Sequence, residues 1–392
     1  MNQVVSEKLR PYIEKVQKIA PVIRENADRA EREAQMTREV ANAFHEAGMF
    51  RILLPRAMGG GELTIPDSMR LVEEVSRIDG SAGWNLAICS GGPVFGHYLS
   101  RPAFDKIYGA SRGVSAGSLN PMTSQAIPVE GGYRFSGKAT YASGAAHATY
   151  LVAAAIVLRD GAPQIVNDFP VLRAGVFPIE HAKILNTWST SGMRGTGSND
   201  CVFENVFVPE EFTFDWLFAQ SPWQRGAFAN IPFALQIAGS LVPVVLGITR
   251  HAIDALKQIA QAKVPAASRS VLRERPVAQT QIAQAEGLLQ AARAYFYNSN
   301  DEMWRRGEAG DTFTVQDRAD ARLAVVTAVK LALQATDIVA EVGGMNSTMT
   351  SSAIERCWRD IHTASQHVQL CSARFETVGR IMLGLDPGSP LI

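Results

Sequence analysis

Cysteine is scarce in this chain. Cys89, Cys201, Cys357 and Cys371 are the only four among 392 residues, with no CxxC pair, so they read as buried thiols of a reducing compartment and not as a disulfide framework. An excess of charge is absent as well. Lys+Arg and Asp+Glu both number 38, and a net charge of zero excludes electrostatic capture of nucleic acid or of an anionic membrane. No uninterrupted apolar run approaches the roughly 20 residues that cross a bilayer. The opening Met1-Asn-Gln-Val-Val-Ser6 lacks the basic-then-apolar order of a secretion signal. No GxGxxG follows a strand and opens a helix, so nothing marks a nicotinamide site. What remains is a chain 46% hydrophobic and 19% charged, enough for a large core in two or three units. The expectation is a cytoplasmic globular protein.

The hydrophobic periods divide the chain in three. Thr37 is placed to cap a helix with Val40, Ala43, Phe44 and Ala47 on one face, stopped by Gly48. After the Gly59-Gly60-Gly61 break, Pro66-Asp67 opens a second helix with Met69, Val72 and Val75 inward. A third begins near Ser81 and runs into an expected loop at Ser90-Gly-Gly-Pro93. Between about Gly113 and Pro209 glycines recur and short runs such as Tyr150–Val157 and Cys201–Val208 read as strands, with a hairpin turn at Gly131-Gly132. Three long helical patterns follow, Ile231–Ala262, Pro276–Gly307 and Val315–Val342, then the Gly343-Gly344 break and a final helix carrying His362 and His367. The expected units are a helical domain over 1–112, a β domain over 113–215 and a helical bundle over 216–392.

Six short motifs occur in register along this order: Asp79-Gly-Ser-Ala-Gly-Trp84, Tyr141-Ala-Ser143-Gly144, Gly192-Met-Arg-Gly-Thr-Gly-Ser-Asn199, Val206-Phe-Val-Pro209, Gly343-Gly344 and Trp358-Arg-Asp360. Together they resemble the acyl-CoA dehydrogenase superfamily, and more narrowly its two-component, flavin-dependent monooxygenase branch. The resemblance implies an α+β, mainly α fold: an N-terminal helical domain, a central β-barrel-like domain and a C-terminal four-helix bundle, assembled as a homotetramer. In the dehydrogenases a glutamate base follows the Arg-Asp pair. Counting from Arg359-Asp360, its place here is Val368, which accepts no proton, flanked by His367 and Gln369. The hydroxylases carry a histidine in this helix, which matches His367. On one continuous helix His362 and His367 would stand about 140° apart, so both do not face one pocket, and the spacing is not the i, i+4 of a shared metal. No metal site is expected.

The resemblance implies reduced flavin, FADH2 or FMNH2, and O2 as cofactors. It implies a C4a-hydroperoxyflavin as oxygenating species, and a separate NAD(P)H:flavin reductase as partner. It places Ser143 at flavin N5 and His367, with His362 as a second candidate, at the substrate. Trp84, Ser118, Asn120, Arg194, Thr196 and Ser198 would line the flavin, Arg269 would meet its phosphate, and Gly343 and Gly344 would let a neighbouring subunit approach. Phenol hydroxylases of the branch carry a second histidine about eight residues beyond Trp84. Here that place is Gly91-Gly92, which favours a different aromatic or heteroaromatic substrate, first of the indole-3-acetate type. Two alternatives stay open on sequence: an acyl-CoA dehydrogenase or related oxidase with its base relocated, and a non-catalytic flavin-binding protein.

Overall fold

The computed structural model describes residues 6–166, 168–217, 221–266 and 268–388. Five helices open the chain: α1 (Arg10–Glu33), α2 (Arg38–Glu46), α3 (Ile65–Ser76), α4 (Gly80–Gly96) and α5 (Arg101–Tyr108). The sequence reading passes over α1, whose apolar anchors are sparse: only Val16, Ala20, Ile23 and Ala30 are buried along it. Thr37 caps α2 and Thr64 caps α3, each accepting a backbone N–H three residues on. The loop expected at Ser90–Pro93 is instead the last part of α4, which continues through both glycines and Pro93. Gly92 explains the straight passage: a Cβ there would meet Ser115 Oγ at 2.3 Å, so its absence lets α4 lie directly on the sheet.

The strands are β1 (Ser115–Ser118), β2 (Ser124–Val129), β3 (Gly132–Ala139), β4 (Tyr150–Arg159), β5 (Ala162–Pro163), β6 (Ile165–Val166), β7 (Phe169–Pro170), β8 (Leu172–Pro178), β9 (Lys183–Ile184), β10 (Cys201–Pro209) and β11 (Thr213–Asp215). The main sheet runs β11-β8-β4-β2-β3-β10-β9, with β1 parallel to β4. Its end strands β11 and β9 do not pair with each other among the described residues, so the β-barrel-like expectation resolves to an open sheet. Strands of three and two residues at the two ends are too short to close it.

Seven helices follow: α6 (Ala227–Asn230), α7 (Phe233–Ala238), α8 (Val242–Ala260), α9 (Pro276–Ala309), α10 (Val315–Gly343), α11 (Ala353–Ala364) and α12 (Arg374–Met382). The first long pattern splits at Gly239, where a Cβ would stand 3.0 Å from the Phe296 ring. The expected single final helix also breaks: α11 ends at Ala364, so His362 is helical and His367 sits in the turns that follow. Two stretches, Phe233–Ala260 and Val315–Ser347, are long and apolar enough to cross a membrane, and 78% and 50% of their apolar windows are buried inside the fold.

One apolar core joins α1, α3 and α4 to α8, α9, α10 and α11, and a second fills the space between the sheet and α5. Helix α4 belongs to both, with Trp84 and Leu86 in the first and Phe95 packed on the second. It is the element through which helices and sheet meet.

Candidate active site

Asp79 fixes the start of α4 by accepting the Ala82 N–H at 2.8 Å. One turn on, Trp84 projects toward the loop after β3. That loop turns sharply because Tyr141 adopts φ 55° and its carbonyl accepts the Ser143 N–H at 2.8 Å. Ser143 is thereby driven inward. Its Oγ accepts the Trp84 Nε1–H at 3.0 Å and lies 2.6 Å from Ser198 Oγ. Ser198 Oγ is 2.7 Å from Thr196 Oγ1, which donates to the Met193 carbonyl at 2.8 Å. Trp84, Ser143, Thr196 and Ser198 are all buried.

The second half of this chain of hydroxyls stands on the glycine-rich loop between β9 and β10. Met193 and Gly197 bracket it in left-handed conformations, at φ 53° and 57°. Asp360 on α11 ties it down, its Oδ1 accepting the Met193 N–H at 2.5 Å. Burial pushes the Asp360 carboxyl up to about 7. The same backbone contact explains Gly192, where a Cβ would strike the Arg359 carbonyl at 2.2 Å.

His367 closes the other side of Trp84, ring edge to face at 5.5 Å. Its Nδ1 accepts the Gln369 N–H at 3.3 Å, which leaves the proton on Nε2 with no hydrogen-bond partner among the described residues. Burial, aided by the Arg374 charge, lowers its pKa to about 4. The resemblance places this imidazole at the substrate. In the fold it is a neutral ring offering one N–H. His362 goes elsewhere: its Nδ1 bonds the Trp358 carbonyl at 2.7 Å, its ring lies 4.3 Å from Trp358, and its Nε2 is 3.4 Å from Asp337 of α10.

The other expected residues do not join this group. Ser118 ends β1 and holds the Asn120 N–H, while the Asn120 amide reaches Thr140 Oγ1 at 3.2 Å. Arg194 turns to α1, donating to the Glu31 carbonyl at 3.0 Å and to Thr190 at 3.1 Å. Arg269 is exposed in the loop before α9. Gly343 and Gly344 end α10, where Lys263 Nζ holds the Gly343 carbonyl at 2.5 Å and Asn346 Oδ1 at 2.6 Å. No hydrogen bond or ring contact links any of these to Trp84.

Two further residues of α4 border the site: Asn85, which the sequence did not single out, and Gly91, which stands where the phenol hydroxylases carry their second histidine. Asn85 is fully buried, donates to the Gly195 carbonyl at 3.2 Å, and keeps its Oδ1 without a donor among the described residues. Gly91 differs from Gly92 in one respect: a Cβ there would have nothing within 4 Å. Along α4, Trp84, Ile88, Gly91 and Phe95 follow at helical spacing, and Ile88, Gly91 and Phe95 are the half-open positions of an otherwise buried helix. That stripe is the side of α4 left partly open among the described residues. The polar groups beside it are acceptors, an unsatisfied buried amide oxygen on Asn85 and a serine hydroxyl whose oxygen already takes the Trp84 N–H, and such a set fits the N–H edge of a flavin.

Among the described residues, no carboxylate stands at the Val368 position or free beside Trp84. Val368 is exposed, Asp79 and Asp360 are held by backbone N–H groups, and Glu31 and Glu355 hold Arg359. A helical fold around an open sheet thus brings together a buried hydroxyl chain, an indole and an imidazole, with Val368 in the place of a dehydrogenase base.

Comparison with known proteins agrees. The N-terminal domain of the acyl-CoA dehydrogenase family matches residues 6–98 and its C-terminal domain residues 240–371. The chain is 33% identical over 365 residues to an indole-3-acetate monooxygenase of Pseudomonas putida, covering 91% of this chain and 90% of that one. It is 26% identical to the oxygenase subunit HsaA of a flavin-dependent monooxygenase from Rhodococcus jostii, covering 91% and 93%. Among solved structures, XiaF from Streptomyces sp. in complex with FADH2 and glycerol superposes with a TM-score of 0.91 at 23% identity, covering 98% of both chains. The 3-HSA hydroxylase from Rhodococcus sp. RHA1 gives 0.88 at 23%, covering 99% and 100%. The chain belongs to the acyl-CoA dehydrogenase superfamily, in its branch of flavin-dependent monooxygenases, and its cofactors are reduced flavin and O2.

Proposed function

We propose that this protein is the oxygenase component of a two-component system that oxygenates a bicyclic aromatic acid of the indole-3-acetate type, with reduced flavin delivered by a separate NAD(P)H:flavin reductase. Bound reduced flavin supplies the electrons that activate O2. The chain's own residues position and protect. Ser143 and Trp84 would hold the reactive edge of the isoalloxazine, and burial of the whole hydroxyl group would exclude water from it. His367 donates its Nε2–H to the substrate, and the two sides meet at Trp84.

The observation that carries the reading is the placing of the His367 ring, packed against Trp84 with its Nδ1 taken by the Gln369 N–H. A neutral ring with its Nδ1 occupied donates a single N–H, suited to a carboxylate, hydroxyl or carbonyl oxygen and unsuited to removing a proton from carbon. The Arg374 charge acts on the same ring, which favours an anionic ligand. The open space at Gly91 favours a ring system wider than a phenol, and the similarity to the Pseudomonas putida enzyme points the same way.

The test supplies the purified protein with FAD or FMN, NADH and an unrelated flavin reductase, and follows indole-3-acetate and its products by mass spectrometry. A product heavier by one oxygen supports the reading. Release of hydrogen peroxide alone, with a phenol turned over instead, contradicts the substrate class.

A further inference from the structure

The hydroxyl chain behind Ser143 has a direction, and it follows from its two ends. The Trp84 indole nitrogen only donates, so Ser143 Oγ accepts there. The Met193 carbonyl only accepts, so the single Thr196 hydroxyl proton is committed to it at 2.8 Å. Thr196 Oγ1 then takes its 2.7 Å bond from the Ser198 proton, and Ser198 Oγ takes its 2.6 Å bond from the Ser143 proton. Every proton points away from α4, toward the 193–198 loop. Ser143 has given its one proton to Ser198 and one lone pair to Trp84, and keeps one lone pair.

We infer that this polarity makes Ser143 an obligate acceptor toward flavin N5, so that Thr196 and Ser198 act as positioning residues by which the site distinguishes reduced from oxidised flavin. The inference rests on the placement of Ser143 at N5 given above. Reduced flavin carries a proton on N5 and donates it to the remaining Ser143 lone pair. Oxidised flavin has no N5 proton and presents a lone pair of its own, so lone pair faces lone pair. Relieving that contact needs all three hydroxyls to reverse. Reversal would leave Thr196 Oγ1 and the Met193 oxygen opposed at 2.8 Å, while Met193 still accepts Trp188 Nε1–H at 3.0 Å. Burial keeps water from substituting for either bond. The chain thus favours the incoming reduced form and helps expel the oxidised one after turnover.

The test is anaerobic titration of the protein with oxidised and with chemically reduced FMN and FAD, read by quenching of tryptophan fluorescence, so no turnover is involved. Wild type is expected to bind reduced flavin more tightly. Thr196→Val keeps the shape and removes the anchor, freeing Ser198 and Ser143 to reverse. It should narrow the reduced-to-oxidised preference by roughly tenfold, the scale of one buried hydrogen bond, chiefly by gain of oxidised-flavin affinity. Thr196→Ser should restore the preference, which a merely structural role for the methyl would not do. If Thr196→Val does not fold, Ser198→Ala cuts the chain at its centre and should narrow the preference in the same direction. An unchanged preference in these variants, while Ser143→Ala weakens reduced flavin, would overturn the polarity. If Ser143→Ala leaves both affinities untouched, Ser143 is not at N5 and the placement itself fails. A wild type that binds the two forms equally would overturn the inference outright.

Discussion

The two sides of Trp84 are built from different materials. On one, four polar side chains and a loop carbonyl are joined at 2.6 to 3.0 Å, every proton assigned and the loop beneath pinned by Asp360. On the other, a nearly apolar helical stripe with a glycine gap leads away from one neutral imidazole. The difference teaches where each kind of specificity resides. On the proposed assignment, the flavin side would be specified by hydrogen-bond direction. The substrate side would be specified by shape plus a single donor.

Substitutions on the two sides should therefore separate. The largest effect is expected at His367: His367→Ala should lower kcat/KM for the aromatic substrate by about a hundredfold, the scale of losing one preorganised donor, while reduced-flavin binding stays unchanged. A parallel loss of flavin affinity would merge the two sides. Next, Ser143→Ala should raise the share of oxygen lost as hydrogen peroxide by about tenfold, with KM for the aromatic substrate little moved. A smaller, several-fold effect is expected from Gly91→Leu: KM for a bicyclic acid rises while a single-ring acid is tolerated, since the new side chain enters open space and not the packed core. If both substrates suffer equally, the stripe is not the substrate wall. The smallest effect is at His362, where His362→Gln should change kcat/KM by less than about twofold, because its ring is spent on Trp358 and Asp337.

The pH profile sharpens the same comparison. His367 titrates at about 4 in the fold and at its ordinary 6.5 when exposed, so its neutral donor form persists throughout the range above the lower value. A kcat/KM profile measured across pH 6.5 should show no limb belonging to His367. Stability has the opposite exposure to acid. The unfolded chain takes up the proton first, so the contribution of the neutral ring is lost as pH falls from 6.5 through about 4. His367→Gln should remove that part of the acid sensitivity in a denaturant titration.

Much of the fold and part of the site are legible in the sequence. Ser143, Thr196 and Ser198 stand inside glycine-rich motifs whose order along the chain marks the fold, and Val368 in place of a carboxylate pointed away from dehydrogenase chemistry. What could not be read was what depends on contacts distant in sequence. Asp360 supports the Met193 loop from 167 residues away, and Ser143 meets Ser198 across 55. Periodicity treated His362 and His367 as one helix, because nothing local signals that α11 ends at Ala364 in a backbone turn without glycine or proline. It also treated Gly91-Gly92 as a loop. A helix packed this closely against a sheet tolerates glycine for its lack of bulk, and only the fold shows that Gly92 serves the packing while Gly91 faces empty space.

The most direct test of the central claim is to give the protein reduced flavin and indole-3-acetate anaerobically, admit isotopically labelled dioxygen, and weigh the product. One labelled oxygen atom in the aromatic product is the predicted result. An unlabelled product, or anaerobic reduction of bound oxidised flavin by the substrate itself, would contradict the monooxygenase account and return the site to dehydrogenase chemistry.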